Sequence, residues 1–398
     1  MRWFLIRAVL FLVAASACAE DGFIRMEPEL HSSFTPEPSA TEAGLWQVMN
    51  EAEQSVKHSP SRIVDPQLDQ YMQGILCRLA ADYCRDIRVY VIRRPYFNAS
   101  MAPNGMLQVW SGLLLRVGNE AQLASVLSHE LGHYLKRHSL KGFEDQKMKS
   151  NILTFVTLGL GFAVATGNLN TNVGQTASDL SQLAIIASLF SYSRSQESEA
   201  DKFGMQLIAD AKYRVDEPAV IWKHLIAEED LGKQGKHSDS LFFSTHPSPK
   251  SRIQDLNAYA AQLQPGDNDT STGSEAFYRV LLPHLDMLIR DEINLNQPAR
   301  TEFVLLQFKQ DGVALGLVHY YLGELYRIRD NPGDRLLALD HYERSLGHED
   351  AKPEVHRQMG ILYLKEKNRE SAQRSFARYL ELVPDANDIE MIKYYMTL

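Results

Sequence analysis

Apolar residues recur at three- and four-residue intervals in two segments, one beginning at Thr41 and one following Pro66. This spacing places apolar side chains on one face of an α-helix, so it predicts two helices that pack against a core. The apolar faces are Leu45, Met49, Ala52 and Val56 in the first helix, and Leu68, Tyr71, Met72, Ile75 and Leu79 in the second.

β-Branched and aromatic residues are concentrated at residues 87–92, which predicts a β-strand. A second strand is predicted at residues 106–110, directly after the turn-forming Pro103-Asn104-Gly105. A single long helix is then predicted from about Ala121 to Lys141. The pattern therefore indicates an α+β fold that is mainly α-helical and contains a small β-sheet.

Two further apolar stretches, residues 152–166 and 180–190, contain or are separated by glycines. Both are shorter than the roughly 20 residues that an upright transmembrane helix needs. Two interpretations stay open: a buried helical hairpin, and a hairpin that touches a membrane or covers the site as a lid.

The N-terminus has the pattern of an export signal. Arg2 and Arg7 supply positive charge around an apolar run, and Ala17-Cys18-Ala19 fits the rule of small residues before a cleavage site. We therefore predict a signal peptide at residues 1–19 and a flexible lead-in at residues 20–40. The alternative, a lipid attached to Cys18, would require a bulky residue where Ala15 stands.

Composition excludes some classes of function. The chain has 398 residues, 44% of them hydrophobic, with a formal net charge of -9 and a pI near 5.8. A chain of this composition can form a core, and it lacks the basic balance typical of a nucleic-acid-binding surface. In an exported protein Cys77 and Cys84 can form a disulfide, but only if the helix that contains Cys77 ends before Cys84.

The C-terminal third has a different organisation. Residues 262–274 are polar and turn-forming, which predicts a linker, and residues 275–398 are predicted to be entirely helical. Two segments repeat the positions typical of tetratricopeptide repeats. The matching positions are Leu322-Gly323, Tyr326, Ala338 and Tyr342 in the first, and Met359-Gly360, Tyr363, Ala372, Phe376 and Pro384 in the second.

The strongest chemical signal is His129-Glu130-Leu131-Gly132-His133. Residues four apart share one helix face, so His129 and His133 can bind one tetrahedral metal ion. Glu130 lies beside them and can take a proton from the attacking water and deliver it to the leaving amine. The pattern predicts a metallopeptidase, although a solvated helix face could contain the same residues.

A third ligand is needed. The extension that supplies another histidine in one class of zinc peptidases requires Gly at 136 and His at 139, where this chain has Lys136 and Ser139. Glu197, on a predicted later helix, is the alternative, and Asp201 shares its face by spacing. We predict that Glu197 binds the metal, that Asp201 orients a ligating histidine, and that Glu199 is solvated.

With this second element the sequence resembles the M48 family of zinc peptidases, over roughly residues 41–261. Further ordered motifs carry the resemblance: residues 98–105 (Asn-Ala-Ser-Met-Ala-Pro-Asn-Gly), 111–114 (Ser-Gly-Leu-Leu), 119–121 (Asn-Glu-Ala) and 244–253, which contain His-Pro and end in Arg-Ile. The resemblance implies a gluzincin-type domain that binds one Zn2+ through His129, His133 and Glu197.

The resemblance also implies roles for other residues. His246 would either stabilise the oxyanion or occupy the open position of zinc in a latent enzyme, with Arg252 as a further charge donor. Residues 106–110 would form the sheet edge to which an extended substrate adds as a strand. The loop Pro103-Asn104-Gly105 departs from the Pro-Gly-Gly of the family, which puts the shape of that edge in doubt.

Family members with this layout are periplasmic, and the expected function is a zinc endopeptidase of the bacterial envelope that cleaves misfolded or stalled proteins. The C-terminal helices would recruit substrates or outer-membrane assembly machinery, with peripheral membrane contact and no nucleic-acid partner. Two other interpretations stay open: a chaperone or adaptor with structural zinc, and a membrane-bound processing peptidase.

Overall fold

A computed structural model describes residues 23–149, 192–234, 242, 246, 251–263 and 272–398. The predicted signal peptide and both glycine-bearing apolar stretches, 152–166 and 180–190, lie outside the described residues. Across the described ranges, no helix is both long and apolar enough to cross a bilayer.

The described chain is a mainly helical α+β protein with one small sheet, as the sequence predicts. The strands are β1 (Arg88–Ile92), β2 (Ala99–Met101) and β3 (Met106–Trp110). The helices of the N-terminal part are α1 (Thr41–Lys57), α2 (Pro66–Leu79), α3 (Ser111–Leu114), α4 (Glu120–Leu135), α5 (His138–Lys149), α6 (Arg194–Asp210), α7 (Glu217–Gln234) and α8 (Ser251–Leu263). Those of the C-terminal part are α9 (Ser274–Asn294), α10 (Pro298–Gln310), α11 (Leu315–Arg329), α12 (Asp334–Ser345), α13 (Glu354–Lys365), α14 (Arg369–Leu382) and α15 (Ile389–Thr397).

The sheet has the strand order β1-β3-β2, with β3 parallel to β1 and antiparallel to β2. This order corrects the expectation that residues 106–110 form the substrate edge, because β3 is the central strand. The short strand β2, which the sequence does not predict, pairs with β3 on the side nearer α4. Among the described residues β2 is therefore the edge strand closest to the candidate site.

Helix α4 is the central helix of the domain. All of its residues are buried, because it packs on α6, α7 and β2 at once. Asn119 caps its N-terminus by accepting a hydrogen bond from the backbone N–H of Gln122. A helix enclosed on all sides places its polar residues in a low-dielectric environment, where each needs a specific partner.

The helix predicted from Ala121 to Lys141 is wrong in its extent. Helix α4 ends at Leu135, and Arg137 has a φ of 55°, in the left-handed region that ends helices. A new helix, α5, starts at His138 and runs in another direction. The break brings His138 back towards α4 instead of carrying it away along the same axis.

Residues 23–40 contain no helix or strand, yet they are attached to the domain. The backbone amides of Glu29 and Leu30 both donate to the carbonyl of Leu135, and Leu30 is buried. The hydroxyl of Tyr83 donates to the carbonyl of Leu30. This described part of the lead-in therefore covers the C-terminal end of α4, in contrast to the flexible segment that the sequence suggests.

Cys77 and Cys84 form a disulfide, with their Cα atoms 4.5 Å apart. The condition set by the sequence is met, because α2 ends at Leu79 and a short 3-10 helix, Ala81–Tyr83, reverses the chain between the two cysteines. The bridge ties the end of α2 to the segment that leads into β1.

The C-terminal helices form hairpins whose packing explains the repeated positions. A Cβ atom at Gly323 would lie 2.4 Å from the ring of Tyr342, and one at Gly360 would lie 2.5 Å from the ring of Phe376. Glycine is needed at both positions because an aromatic ring from the second helix of each hairpin packs against the backbone of the first. The residues Asn331-Pro332-Gly333 occupy the turn between α11 and α12.

The C-terminal helices are not packed as a separate body. One apolar core extends from Leu30 to Leu362, and α9 contacts α2, α3 and α4. A buried ion cluster reinforces this junction: Arg116, after α3, pairs with Glu228 of α7 at 2.6 Å and with Glu292 of α9 at 3.1 Å. The predicted helices between residues 275 and 312 thus attach the hairpins to the first domain.

Candidate metal centre

Four buried side chains from separate parts of the chain converge on one point. His129 and His133 come from α4, Glu197 from the first turn of α6, and His246 from the segment before α8. Their potential ligand atoms all lie within 4.8 Å of one another. The structure thus brings together the three predicted metal ligands and adds His246 to them.

Small residues allow the two ligand-bearing helices to approach closely. A Cβ at Gly132 would lie 2.7 Å from the carbonyl oxygen of Ala200, and one at Gly204 would lie 3.1 Å from the backbone of Ser128 and His129. The backbones of α4 and α6 therefore touch at both places. Glu197 reaches the histidines because no side chain separates the helices there.

The spacing of the ligand atoms fits a tetrahedral zinc ion. With zinc bonds of about 2.0 to 2.1 Å, ligand atoms at the corners of a tetrahedron lie about 3.3 Å apart. His129 Nε2 lies 3.1 Å from His133 Nε2 and 3.5 Å from Glu197 Oε2, and His133 Nε2 lies 3.4 Å from Glu197 Oε1. Two imidazoles and a carboxylate are also donors that zinc prefers, so the residues present fit this metal.

His246 is a fourth potential ligand of this cluster. Its Nδ1 lies 3.0 Å from Glu197 Oε1 and 3.3 Å from His129 Nε2, and its Nε2 lies 3.5 Å from Glu130 Oε1. Phe242 stacks on the ring at a centroid distance of 4.5 Å. His246 therefore covers the side of the cluster from which a substrate carbonyl would approach.

Asp201 and Arg252 form a buried layer behind the ligands. Asp201 Oδ1 lies 2.9 Å from His129 Nδ1, the nitrogen that faces away from the other ligands. Arg252 Nε donates to Asp201 Oδ2 at 2.6 Å, and Arg252 Nη1 donates to Glu197 Oε2 at 3.2 Å. Arg252 thus lies beside the cluster, as the resemblance implies, and its Nη2 also lies 2.9 Å from His129 Nδ1.

The guanidinium of Arg252 also stacks on the ring of Trp222, whose centroid lies 3.7 Å from Cζ. Burial opposes ionisation of Asp201, but the charge of Arg252 and the contact with His129 lower the pKa of this carboxyl. Burial also opposes ionisation of Glu197, yet the adjacent histidines hold its pKa far below the ordinary value. Both carboxyl groups are therefore ionised, as a cation site requires.

Glu130 is the carboxyl group in this cluster that is not held by strong partners. Burial raises its pKa to about 7. Its Oε1 is buried and makes no hydrogen bond among the described residues, although His246 Nε2 lies 3.5 Å away and the backbone amide of Met101 favours the ionised form. An orphaned carboxylate oxygen beside a metal cluster is available to accept a proton from a bound molecule.

His138 and Glu199 belong to the site, although the sequence pattern assigned neither of them a role there. His138 is fully buried, its Nδ1 lies 2.9 Å from His133 Nδ1, and its Nε2 lies 3.1 Å from Glu199 Oε2. The prediction that Glu199 is simply solvated is therefore wrong. The available signal was a histidine five residues after His133, which becomes informative once the helix is known to break at Arg137.

The ring of His133 is also covered by an aromatic side chain. Tyr192 stacks on its ring at a centroid distance of 3.7 Å, and the Tyr192 hydroxyl lies 3.0 Å from Ser139 Oγ. Burial lowers the pKa of His133 well below the ordinary value and also lowers that of His138. Both imidazoles are thus neutral near pH 7, and a neutral imidazole is the form that binds metal.

Comparison with known proteins supports the same interpretation of the site. Residues 63–260 match peptidase family M48. A putative beta-barrel assembly-enhancing protease of Vibrio cholerae is 29% identical over 208 residues, which cover 51% of this chain and 41% of the relative. The mitochondrial metalloendopeptidase OMA1 of Schizosaccharomyces pombe is 29% identical over 197 residues, covering 49% of this chain and 53% of that protein.

The beta-barrel assembly-enhancing protease of Escherichia coli is 25% identical over 214 residues, covering 53% of this chain and 42% of the relative. This chain thus spans about half the length of the curated relatives that it matches. The family match, the donor set and its tetrahedral spacing agree with one another. Residues 63–260 are therefore a zinc metallopeptidase domain of family M48.

Proposed function

We propose that this chain is a zinc-dependent endopeptidase of the bacterial cell envelope that hydrolyses peptide bonds in misfolded or stalled envelope proteins. The observation that carries the proposal is the convergence of His129, His133 and Glu197 at tetrahedral spacing beside Glu130, whose Oε1 makes no hydrogen bond within the described part of the chain. Metal-assisted hydrolysis needs this combination of a three-residue ligand set and a free general base.

A zinc ion bound here supplies the Lewis acidity that makes water nucleophilic near neutral pH and polarises the scissile carbonyl. Glu130 Oε1 accepts a proton from the attacking water and then donates it to the leaving amine. A carboxyl group whose pKa is raised to about 7 by burial can do both near neutral pH. Asp201 and Arg252 keep His129 and Glu197 in their ligating orientations.

The substrate is expected to bind along β2. This strand pairs with β3 on one side, and its last residue, Met101, directs its backbone amide towards Glu130. An extended peptide that added to the other edge of β2, which pairs with no strand in the part of the chain described, would be held through its backbone and would pass beside the metal site. Recognition through the backbone suits a peptidase that accepts unfolded segments of varied sequence.

His246 is expected to hold the enzyme in a latent state. Its Nδ1 lies 3.0 Å from Glu197 Oε1 and 3.3 Å from His129 Nε2, so with a metal ion bound His246 could take the position that a substrate oxygen would need. Hydrolysis would therefore require the His246 side chain to move aside. Without a substrate that displaces His246, the peptidase would stay inactive.

The envelope location rests on the export pattern at residues 1–19 and on the Cys77–Cys84 disulfide, which suits an oxidising compartment. Two of the relatives are named for enhancing beta-barrel assembly. We extend this to the proposal that the C-terminal hairpins dock substrates or outer-membrane assembly machinery. The net charge of -9 gives no support to a nucleic-acid partner.

Digestion of casein by the purified chain tests the proposal. Glu130→Gln should abolish hydrolysis while zinc content stays at that of the unmodified chain, because Glu130 is not a ligand. Glu144→Gln, an equal change at an exposed position of α5, is the control and should leave hydrolysis unchanged. Equal hydrolysis by the Glu130→Gln variant would overturn the proposal.

The second candidate function is a chaperone or adaptor whose zinc is structural. The observation in its favour is the continuous core and the buried Arg116 cluster, which tie the helical hairpins to the zinc domain. The same Glu130→Gln variant separates the two in cells. Full function of that variant in its native host would favour the adaptor, whereas loss of function would favour the peptidase.

A further inference from the structure

Within the described ranges of the chain, no carboxylate lies directly behind His133, unlike His129. Metal-binding histidines usually donate their second N–H to a carboxylate, a carbonyl or a water, which fixes the ring and its tautomer. For His129 the partner is Asp201 at 2.9 Å. For His133 the atom facing Nδ1 is Nδ1 of another histidine, His138, at 2.9 Å.

The hydrogen-bond partners determine which nitrogen of each imidazole carries the proton. Glu199 Oε1 accepts from the ammonium of Lys136 at 3.1 Å, so the carboxyl group is ionised and its other oxygen is also an acceptor. His138 Nε2 lies 3.1 Å from that oxygen and must be the donor. A neutral His138 then has a bare Nδ1 that accepts from the Nδ1–H of His133.

This assignment leaves Nε2 of His133 without a proton and pointing at the cluster, as metal binding requires. We propose that His138 and Glu199 are positioning residues that orient His133 for zinc through a relay from imidazole to imidazole to carboxylate. The relay does for His133 what Asp201 does for His129. Both carboxylates belong to α6, the helix that also supplies the ligand Glu197.

The local fold maintains the relay. The left-handed Arg137, with its φ of 55°, reverses the chain so that the first residue of α5 faces back onto α4. Lys136 also contacts Glu29 of the lead-in at 3.2 Å, so the outer end of the relay is held by the N-terminal segment. His138 is fully buried, so bulk solvent does not reach its ring.

The inference rests on the zinc site of the proposed function, and zinc affinity of the purified full chain tests it. His138→Leu fills a similar volume without an acceptor, whereas the Oδ1 of Asn in His138→Asn can occupy the position of Nδ1. Loss of an outer partner typically lowers metal affinity about 10- to 100-fold. We expect that loss for His138→Leu and a clearly smaller one for His138→Asn.

Glu199→Gln removes the charge at the outer end while keeping the shape, and it should weaken zinc binding less than His138→Leu does. Asp210→Asn is the matched control, because Asp210 is on the same helix α6, is half exposed and pairs with Arg25, far from the cluster. A second readout is the visible absorption of the cobalt-substituted chain, which reports ligand geometry. It should change in His138→Leu and remain close to the unmodified spectrum in His138→Asn.

Equal losses of zinc affinity in His138→Leu and His138→Asn would overturn the relay and leave His138 a packing role. Equal zinc affinity of Glu199→Gln and Asp210→Asn would show that Glu199 is not part of the relay. If His138→Leu does not fold, the zinc affinities of His138→Asn and Glu199→Gln, compared with that of Asp210→Asn, still test the relay. Absence of zinc from the unmodified chain would instead overturn the proposed function itself, so the two failures are distinguishable.

Discussion

His246 Nδ1 lies 3.0 Å from Glu197 Oε1, in the same cluster of potential ligand atoms as His129 and His133. One histidine, more than 110 positions along the chain from His129 and His133, thus joins the candidate metal centre. Four protein ligands are typical of structural zinc, whereas catalytic zinc keeps one position open. The geometry therefore places a fourth potential ligand, His246, beside a three-residue set of the catalytic type.

Replacing His246 with alanine should raise basal hydrolysis of casein several-fold while zinc remains bound, because three ligands suffice to hold the metal. Release of labelled peptides and zinc content, measured together, check this outcome. His58→Ala, at an exposed position near the end of α1, is the control and should leave both unchanged. A fall in hydrolysis with zinc retained would instead assign His246 to stabilisation of the oxyanion.

Gly132→Ala should disrupt the site without touching any ligand. The new Cβ would lie 2.7 Å from the backbone oxygen of Ala200, so α4 and α6 must separate. Overpacking of this kind typically costs about 1 to 3 kcal/mol, and we expect a comparable loss of unfolding free energy together with weaker zinc binding. Denaturant titration and metal competition measure the two effects.

Gly74→Ala provides the comparison for that variant. Gly74 lies on the exposed side of α2, and a Cβ added there would meet no atom within 4 Å beyond its chain neighbours and the backbone of its own helix. Alanine in an exposed helix interior is favoured over glycine by about 0.5 to 1 kcal/mol, so this change should be slightly stabilising. Equal behaviour of the two variants would contradict the close contact between α4 and α6.

Arg252→Lys should weaken zinc binding even though the charge is kept. Lysine cannot reproduce the paired donation to Asp201 together with the contact to Glu197 and the stacking on Trp222. Changes behind metal ligands commonly reduce affinity about 10- to 100-fold, which chelator competition can measure. Arg279→Lys, at an exposed pair on α9, should bind zinc as the unmodified chain does.

Stability at acid pH should depend on Glu53. Burial would raise the pKa of this carboxyl group, but hydrogen bonds from Arg88 and Tyr90 and the charge of Arg88 lower it to about 2. A folded-state pKa below the unfolded value stabilises the protein above about pH 4.5, and this contribution is lost as pH falls towards 2. The unfolding free energy should therefore decrease as the pH is lowered from about 4.5 to about 2.

In Glu53→Gln the difference in unfolding free energy from the unmodified chain should be largest near pH 7 and should shrink as pH falls from 4.5 to 2. Glu51→Gln, an exposed change on the same helix, is the control and should show no such trend. A pH-independent difference for Glu53→Gln would contradict ionisation of Glu53 through this range.

The metal ligands could be predicted from the sequence because the chemistry constrains them locally. His129 and His133 share a helix face by spacing alone, and Glu197 and Asp201 do the same on a second helix. No tertiary information is needed to see that each pair can face one point. Only the meeting of the two helices had to be supplied by the fold, and Gly132 was a signal for it.

Other features depended on long-range contacts. Strand β2 has three residues, too few to show an alternating pattern, so the central position of β3 was hidden. Lys136 and Arg137 are compatible with a continuing helix, and the break there follows from how α5 packs. Glu199 projects away from Glu197 on α6, and it joins the site because that break brings His138 to it.

X-ray absorption at the zinc edge of the purified chain tests the central claim most directly. We predict one zinc per chain, surrounded by nitrogen and oxygen ligands at about 2.0 to 2.2 Å with at least two imidazoles and no sulfur. The zinc absorption of the chain should be lost in His129→Ala. Absence of stoichiometric zinc, or a sulfur ligand in the first coordination shell, would contradict a site built from His129, His133 and Glu197.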